Sequence, residues 1–163
     1  MKQLVYRHEL FRPMDITQAP GVEFEFLSSP LDLIKLGVPL LRCLGLSGLI
    51  KTGLKLATGK RRLYCVLTQS CVAHYGWVSF SFCRYYKVQA GDVVIGPIMT
   101  EERYRGRGYA TVALMRVLNA LLAKGYSVFW IDTSEDNIPC QKVIEKCRFG
   151  KPVASFERPE NGL

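Results

Sequence analysis

Residues 100–125 read TEERYRGRGYATVALMRVLNALLAKG. Arg103, Arg105 and Arg107 alternate with Tyr104, Gly106 and Gly108, and the chain then turns apolar. Tyr109, Val112, Ala113, Val117, Leu121 and Leu122 recur at helical spacing, while Arg116, Asn119 and Lys124 fall elsewhere and Gly125 supplies a stop. This predicts an amphipathic helix over 109–124. Upstream, DVVIGPIMT (92–100) is a predicted strand. Gly96 and Pro97 interrupt it, so a bulge or local splaying is expected there. A basic, glycine-containing loop at this junction has three readings: a nucleic-acid tether, a phosphate cradle or a solvated connection. Its position decides. Amides at a helix N-terminus point outward, and the dipole favours negative charge there. Gly106 and Gly108 let the backbone approach a phosphate closely. A tether would not be spliced between a core strand and a core helix, and a plain connection needs no glycine. The loop reads as a phosphate cradle. It lacks the Lys-Ser/Thr of a Walker loop and the third glycine of a dinucleotide fingerprint.

The neighbouring segments extend the pattern. SVFWID (127–132) carries no charge before Asp132, as a buried central strand does. DNIPCQKVIEKCRFG (136–150) is a predicted helix, with Asn137 near its cap and Pro139 in its first turn. KPVASFERP (151–159) can add a last strand. RRLYCVLTQSCVAHYGWVSFSF (61–82) reads as a hairpin with strands near 62–68 and 72–82. QLVYRHELF (3–11) and VEFEFL (22–27) are two further strand-like runs, separated by the breaker APG. The fold class is α/β, an α+β arrangement with a central mixed sheet flanked by helices, in a single domain spanning 1–163.

Between them, Ser28 to Lys60 is leucine-rich and interrupted by Gly37, Pro39, Gly45, Gly48 and Gly53, so two short helices are predicted rather than one. Its longest uncharged run, Cys43 to Ile50, is too short to cross a bilayer. A core-packing pair lining a pocket is the expectation. Lys35, Arg42, Lys51 and Lys55 leave a membrane-surface helix as the alternative.

The chain has 163 residues, 48% hydrophobic and 22% charged, the mix of a globular domain. Its net charge of +8 favours an anionic partner. Cys43, Cys65, Cys71, Cys83, Cys140 and Cys147 show no metal-ligand or redox spacing, and only His8 and His74 could join them, so no metal is expected. MKQLVYRHELFRP lacks the apolar core of a signal peptide, and a cytoplasmic protein with reduced thiols is expected.

RGRGYA, Arg105 to Ala110, resembles the Arg/Gln-x-x-Gly-x-Gly/Ala signature of the GNAT acetyltransferases. NIPCQKVIEKCRF resembles that family's second motif, with Asn137 and Phe149 at matching spacing. The resemblance covers residues 93 to 150 and is topological before that. The pieces HYGWVSF and DVVIGPIMTEERYRGRGYAT are also similar to members associated with bacterial surface-polysaccharide synthesis.

The resemblance implies a GNAT-like fold and acetyl-CoA as co-substrate, held where two parallel strands splay apart. It implies pantetheine pairing with the backbone of Ile98, Met99 and Thr100. It places the pyrophosphate on the amides of Arg105, Gly106, Arg107, Gly108, Tyr109 and Ala110, with Asn137 on the far side. An amine would attack directly while a strand amide stabilises the oxyanion. Two positions depart from the pattern: the family's thiolate-protonating tyrosine is Ile144, and its glycine before the phenylalanine is Arg148. The general acid is therefore unassigned.

His74, Glu101 and Asp132 are the candidates for general base, with Glu102 beside them. His74 shares an apolar strand face, where core histidines are common, and the carboxylates end strands, where solvated charges are common. Cys140 reads as packing, because direct transfer needs no protein nucleophile. The basic charge suits a small phosphate-bearing amine, such as a nucleotide-linked amino sugar, rather than nucleic acid or lysine-rich tails. The state is a monomer or homodimer. The alternative function is a catalytically weak acyl-CoA-binding protein, acting as a sensor or a membrane-docked scaffold.

Overall fold

The computed structural model describes residues 1–16 and 21–158. Ala19 and Pro20 of the predicted breaker, and Pro159 of the last predicted strand, lie outside the described residues. The predicted hairpin is β3 (Arg61–Thr68) and β4 (Cys71–Phe80). Its turn residues Gln69 and Ser70 take φ of 49° and 58°, the left-handed pair that matches the twist of flanking strands. β2 (Val22–Leu27) pairs with β3, and β5 (Val93–Thr100) pairs with β4. β6 (Val128–Ser134) runs parallel to β5. β1 (Lys2–Glu9) pairs antiparallel with β6, and β7 (Ala154–Glu157) with β1. The order is β2-β3-β4-β5-β6-β1-β7, a single mixed sheet whose first two strands lie on opposite halves.

One face is closed by α2 (Tyr109–Leu122) and α3 (Ile138–Lys146). α2 buries Ala113, Leu114, Val117, Leu118 and Leu121 in a core with Tyr64, Val78, Ile95, Phe129 and Ile131. The stripe is centred on Leu114 and Leu118, and Tyr109, Val112 and Leu122 from the predicted pattern flank it half-buried. Gly125 takes φ 90° and the Tyr126 amide donates to Leu121 O at 3.1 Å, closing the helix as a glycine C-cap does.

The other face meets α1 (Leu33–Ala57). Gly45, at φ 69° and ψ 173°, breaks it into arms 33–44 and 46–57. A Cβ on Gly53 would lie 3.5 Å from Leu33 Cδ1, so the arms run side by side. The hairpin they form leaves after Leu27 and returns before Leu63, which are partners across β2 and β3. Leu36, Leu40 and Leu56 pack on Leu63, Cys65, Leu67 and Trp77. The core-packing expectation holds for this side only. Ile34, Val38, Leu46, Ile50 and Leu54 on the outside are 57–79% exposed. An apolar helix pair laid on a sheet can bury only the side that faces it.

Residues 81–92 form a strap over β6 and β7 on this same face. Tyr85 stacks on Phe156 at 5.3 Å, Tyr86 lies 5.8 Å from Trp130, and Trp130 Nε1 donates to Asp92 at 2.8 Å.

Candidate active site

β5 and β6 pair only through Val93↔Phe129, Val94↔Trp130 and Ile95↔Ile131. Beyond that point β5 stays with β4, through Gly76↔Ile98 and His74↔Thr100, and its edge toward β6 is free. Between Val78↔Ile95 and Gly76↔Ile98, β5 holds one residue more than β4, so Gly96 and Pro97 form a bulge. The backbone reason is residue type: Gly96 sits at φ 139°, and proline donates nothing to a ladder. The result is a wedge at the carboxyl ends of two parallel strands, where open α/β sheets bind ligands.

The wedge is lined with free donors. The Glu101 amide donates to Ala73 O at 3.0 Å. His74↔Thr100 is therefore a non-hydrogen-bonded pair, and the amides of Ile98 and Thr100 point away from β4 into the wedge. Met99 lies between them with its side chain half exposed on the α1 face. At the wedge mouth, a 3-10 turn over Glu102–Tyr104 leads to the arginine–glycine loop. Gly106 and Gly108 take φ of 75° and 79°, and open space surrounds each. The first cap bond of α2 is Val112 N to Gly108 O at 3.1 Å, so the amides from Gly106 to Thr111 are left free of turn and cap bonds. Gly108 is the N-cap of α2, with Arg105 three residues before it and Ala110 two after. Arg105 Nε reaches Thr100 O at 3.4 Å. Among the described residues Arg103 is paired with Glu101 at 3.0 Å, whereas Arg105 and Arg107 have no carboxylate partner. Across the wedge, Asn137 caps α3 by accepting from the Cys140 amide at 3.2 Å. Free amides, two unpaired guanidinium groups and glycines that leave room suit a diphosphate with an extended arm. The residues present thus fit acetyl-CoA.

Two of the three base candidates share the α1 face of the wedge. Asp132 follows the last β5–β6 pair and accepts from Tyr86 Oη at 3.1 Å. Burial pushes its carboxyl above the usual carboxylate range. Glu101 is half-buried and tied to Arg103, while Glu102 is exposed. His74 lies on the opposite face. It is 1% exposed, its Nδ1 lies 2.8 Å from the Thr100 hydroxyl, and burial lowers its pKa to about 4. It is therefore a neutral core histidine on the opposite face of the sheet from Asp132 and Glu101, and its contact with Thr100 steadies the end of β5.

Three further positions matter. Cys140 is held protonated by burial, as a packing residue is. Ile144 is completely buried with Cys147 and Phe149, so the side chain at the family's tyrosine position faces core and not the wedge. A tyrosine there would overpack it. Arg148 takes φ 61°, the backbone that makes glycine usual at this point.

Tyr64 is a packing residue that the sequence pattern did not single out. Its ring covers Gly76, where an added Cβ would collide with the phenol oxygen. That oxygen is buried without a hydrogen-bond partner beside the Gly76–Ile98 step, and burial holds the phenol firmly protonated. The glycine in HYGWV, opposite a large tyrosine, was the available signal. Two concavities lie away from the wedge, one of about 490 Å³ beside Gln141 and Arg148 and one of about 320 Å³ between Arg62 and Lys124.

The Acetyltransferase (GNAT) family's sequence model matches residues 61–149, more than half of the chain. No curated protein matches. Among solved structures, a GNAT-family acetyltransferase from Colwellia psychrerythraea superposes with a TM-score of 0.62 at 15% identity, over 94% of this chain and 53% of that one. A GCN5-related N-acetyltransferase from Kribbella flavida gives 0.61 at 10% identity, over 95% and 56%. The chain thus spans about half the length of these two. The aminoglycoside N-acetyltransferase AAC(6')-Iy, bound to a CoA bisubstrate analogue, gives 0.64 at 15% identity, over 86% of this chain and 99% of that one. At these identities the likeness is one of fold.

Proposed function

The chain belongs to the GNAT acetyltransferase family, and from that premise we propose that it is an acetyl-CoA-dependent N-acetyltransferase acting on a small-molecule amine. The observation that carries this reading is the wedge: free amides of Ile98 and Thr100 beside the unpaired Gly106–Thr111 amides. Bound acetyl-CoA supplies the activated acetyl group as a thioester. The α2 loop, with Arg105 and Arg107, binds its diphosphate charge. The Ile98 and Thr100 amides hold the arm, and an amide on this strand stabilises charge on the carbonyl oxygen. Asp132 takes the proton from the incoming amine, made more basic by burial and oriented by Tyr86. Glu101 adds a second negative charge on that side. The departing sulfur takes its proton from water.

The acceptor is a phosphate-bearing amine such as a nucleotide-linked amino sugar, in keeping with the net charge of +8. Ile144 favours the second reading, a catalytically weak acyl-CoA-binding protein, because no tyrosine occupies the usual donor position. Release of free CoA from acetyl-CoA across a panel of nucleotide-linked amino sugars, neutral amino sugars and lysine peptides separates the two. The first reading expects turnover on the nucleotide-linked members. Binding of acetyl-CoA with no amine-dependent release would support the second.

A further inference from the structure

The outer side of α1 is an unpartnered apolar surface bordered by charge of one sign. Ile34, Val38 and Leu41 form a stripe on the first arm, and Leu46, Ile50 and Leu54 one on the second; all six are exposed. Lys35, Arg42, Lys51 and Lys55 are exposed along the same arms. Residues 33–57 contain no carboxylate. Just before them, Asp32 is committed to the Ser28 and Ser29 amides at 2.7 and 2.8 Å. Among the described residues none of the four cations has an ion-pair partner, and three, Lys35, Arg42 and Lys51, are free to face outward, whereas the Lys55 ammonium lies 5.0 Å over the Trp77 ring of the sheet. Lys55 is pushed below its usual pKa by burial and by repulsion from Arg61 and Lys51.

Three occupants compete for this surface. A span across a bilayer fits the apolarity of 30–57, whose mean hydropathy reaches 1.7. The Gly45 break excludes it, since each arm is only about 18 Å long against a hydrocarbon core of about 30 Å. Both ends are also tied to the sheet at the Leu27↔Leu63 pair. A second copy of the chain, joined through a two-fold axis on this surface, would set the three outward cations of one α1 against those of the other with no α1 carboxylate between them. An anionic lipid surface satisfies both features, taking the apolar stripes into the acyl boundary and the cations onto headgroups.

We propose that α1 docks the protein on anionic phospholipid bilayers, its two arms lying in the interface. α1 packs on the sheet face that Glu101 and Asp132 share. Docking therefore turns the α1 side of the wedge toward the lipid. If the acetyltransferase reading holds, the acceptor is met at the membrane surface.

The test is cosedimentation of the full chain with phosphatidylcholine vesicles, with and without phosphatidylglycerol, at low and physiological salt. Pelleting is expected with phosphatidylglycerol, weaker at higher salt, and absent with phosphatidylcholine alone. Ile34→Ser with Ile50→Ser, and separately Lys35→Glu with Lys51→Glu, should each cut the bound fraction about tenfold. All four side chains are exposed, so circular dichroism and acetyl-CoA affinity should be unchanged in both variants. No pelleting at either salt, or pelleting that ignores both variants, overturns the proposal. A concentration-dependent dimer abolished by Ile34→Ser with Ile50→Ser, without vesicle binding, overturns it in favour of a second copy. Because acetyl-CoA affinity is read separately, failure of lipid docking leaves the catalytic reading standing.

Discussion

α1 and α2 are both leucine-rich, yet they stand on opposite faces of one sheet with opposite fates. α2 gathers its apolar side chains on one side, and Leu114, Val117, Leu118 and Leu121 are completely buried. α1 spreads them round both arms, and half of them face outward. The difference lies in patterning, not in composition. A one-sided helix spends its apolar surface on the core and contributes stability; an all-round one has surface left for something outside the fold. The proposed acetyl-CoA wedge lies between the two, with the Gly106–Thr111 amides on its α2 side and Asp132 and Glu101 on its α1 side.

The contrast breaks most visibly in stability. Leu118→Ala should destabilise by about 2–5 kcal/mol, and Leu54→Ser by less than about 0.5 kcal/mol. Urea unfolding of both variants checks this. Equal costs would mean that the outer side of α1 is packed against the fold after all.

His74 offers the next largest effect, through pH. The fold favours the neutral ring, with a pKa near 4 against 6.5 for a free histidine. Its contribution is complete above pH 6.5 and is lost as pH falls toward about 4, because the unfolded chain binds the proton first. The loss amounts to roughly 3 kcal/mol. His8, also lowered by burial, acts in the same direction. His74→Gln should flatten most of the decline in urea midpoint across that window, and an unchanged decline would mean that other groups cause it.

Tyr64 gives the smallest effect. Tyr64→Phe should leave kcat, the acetyl-CoA KM and the urea midpoint close to wild type, since the hydroxyl is buried in the core with no partner to lose. A fall in kcat of about tenfold, roughly 1.4 kcal/mol, at unchanged stability would place the hydroxyl on the proton path instead.

Much of this could be read from local pattern. The 109–124 periodicity, the Gly96–Pro97 interruption and the Asn137–Pro139 helix start all act through nearby backbone, so their outcomes appear in the sequence. What could not be read depends on contacts distant in sequence. That β1 pairs with β6 and β7 instead of β2 is a matter of sheet order, which alternation does not encode. Asp132 and Glu101 share a face only because the bulge at Gly96–Pro97 shifts the alternation of β5. The exposure of α1 depends on how much sheet lies beneath it, and Tyr64 on the missing side chain of Gly76 across the hairpin.

On the proposed reading, the α2 N-terminus and the open edge of β5 together hold acetyl-CoA. Titration calorimetry of wild type and Gly108→Asp tests it most directly, with thermal unfolding of each unliganded protein as the control. Aspartate tolerates the left-handed backbone at φ 79° better than most residues, and open space surrounds the position, so the fold should persist. A carboxylate among the Gly106–Thr111 amides should repel the diphosphate and weaken acetyl-CoA binding by about a hundredfold, roughly 2.7 kcal/mol. A dissociation constant unchanged from wild type, in a variant that unfolds at the wild-type temperature, would mean that acetyl-CoA is not held there.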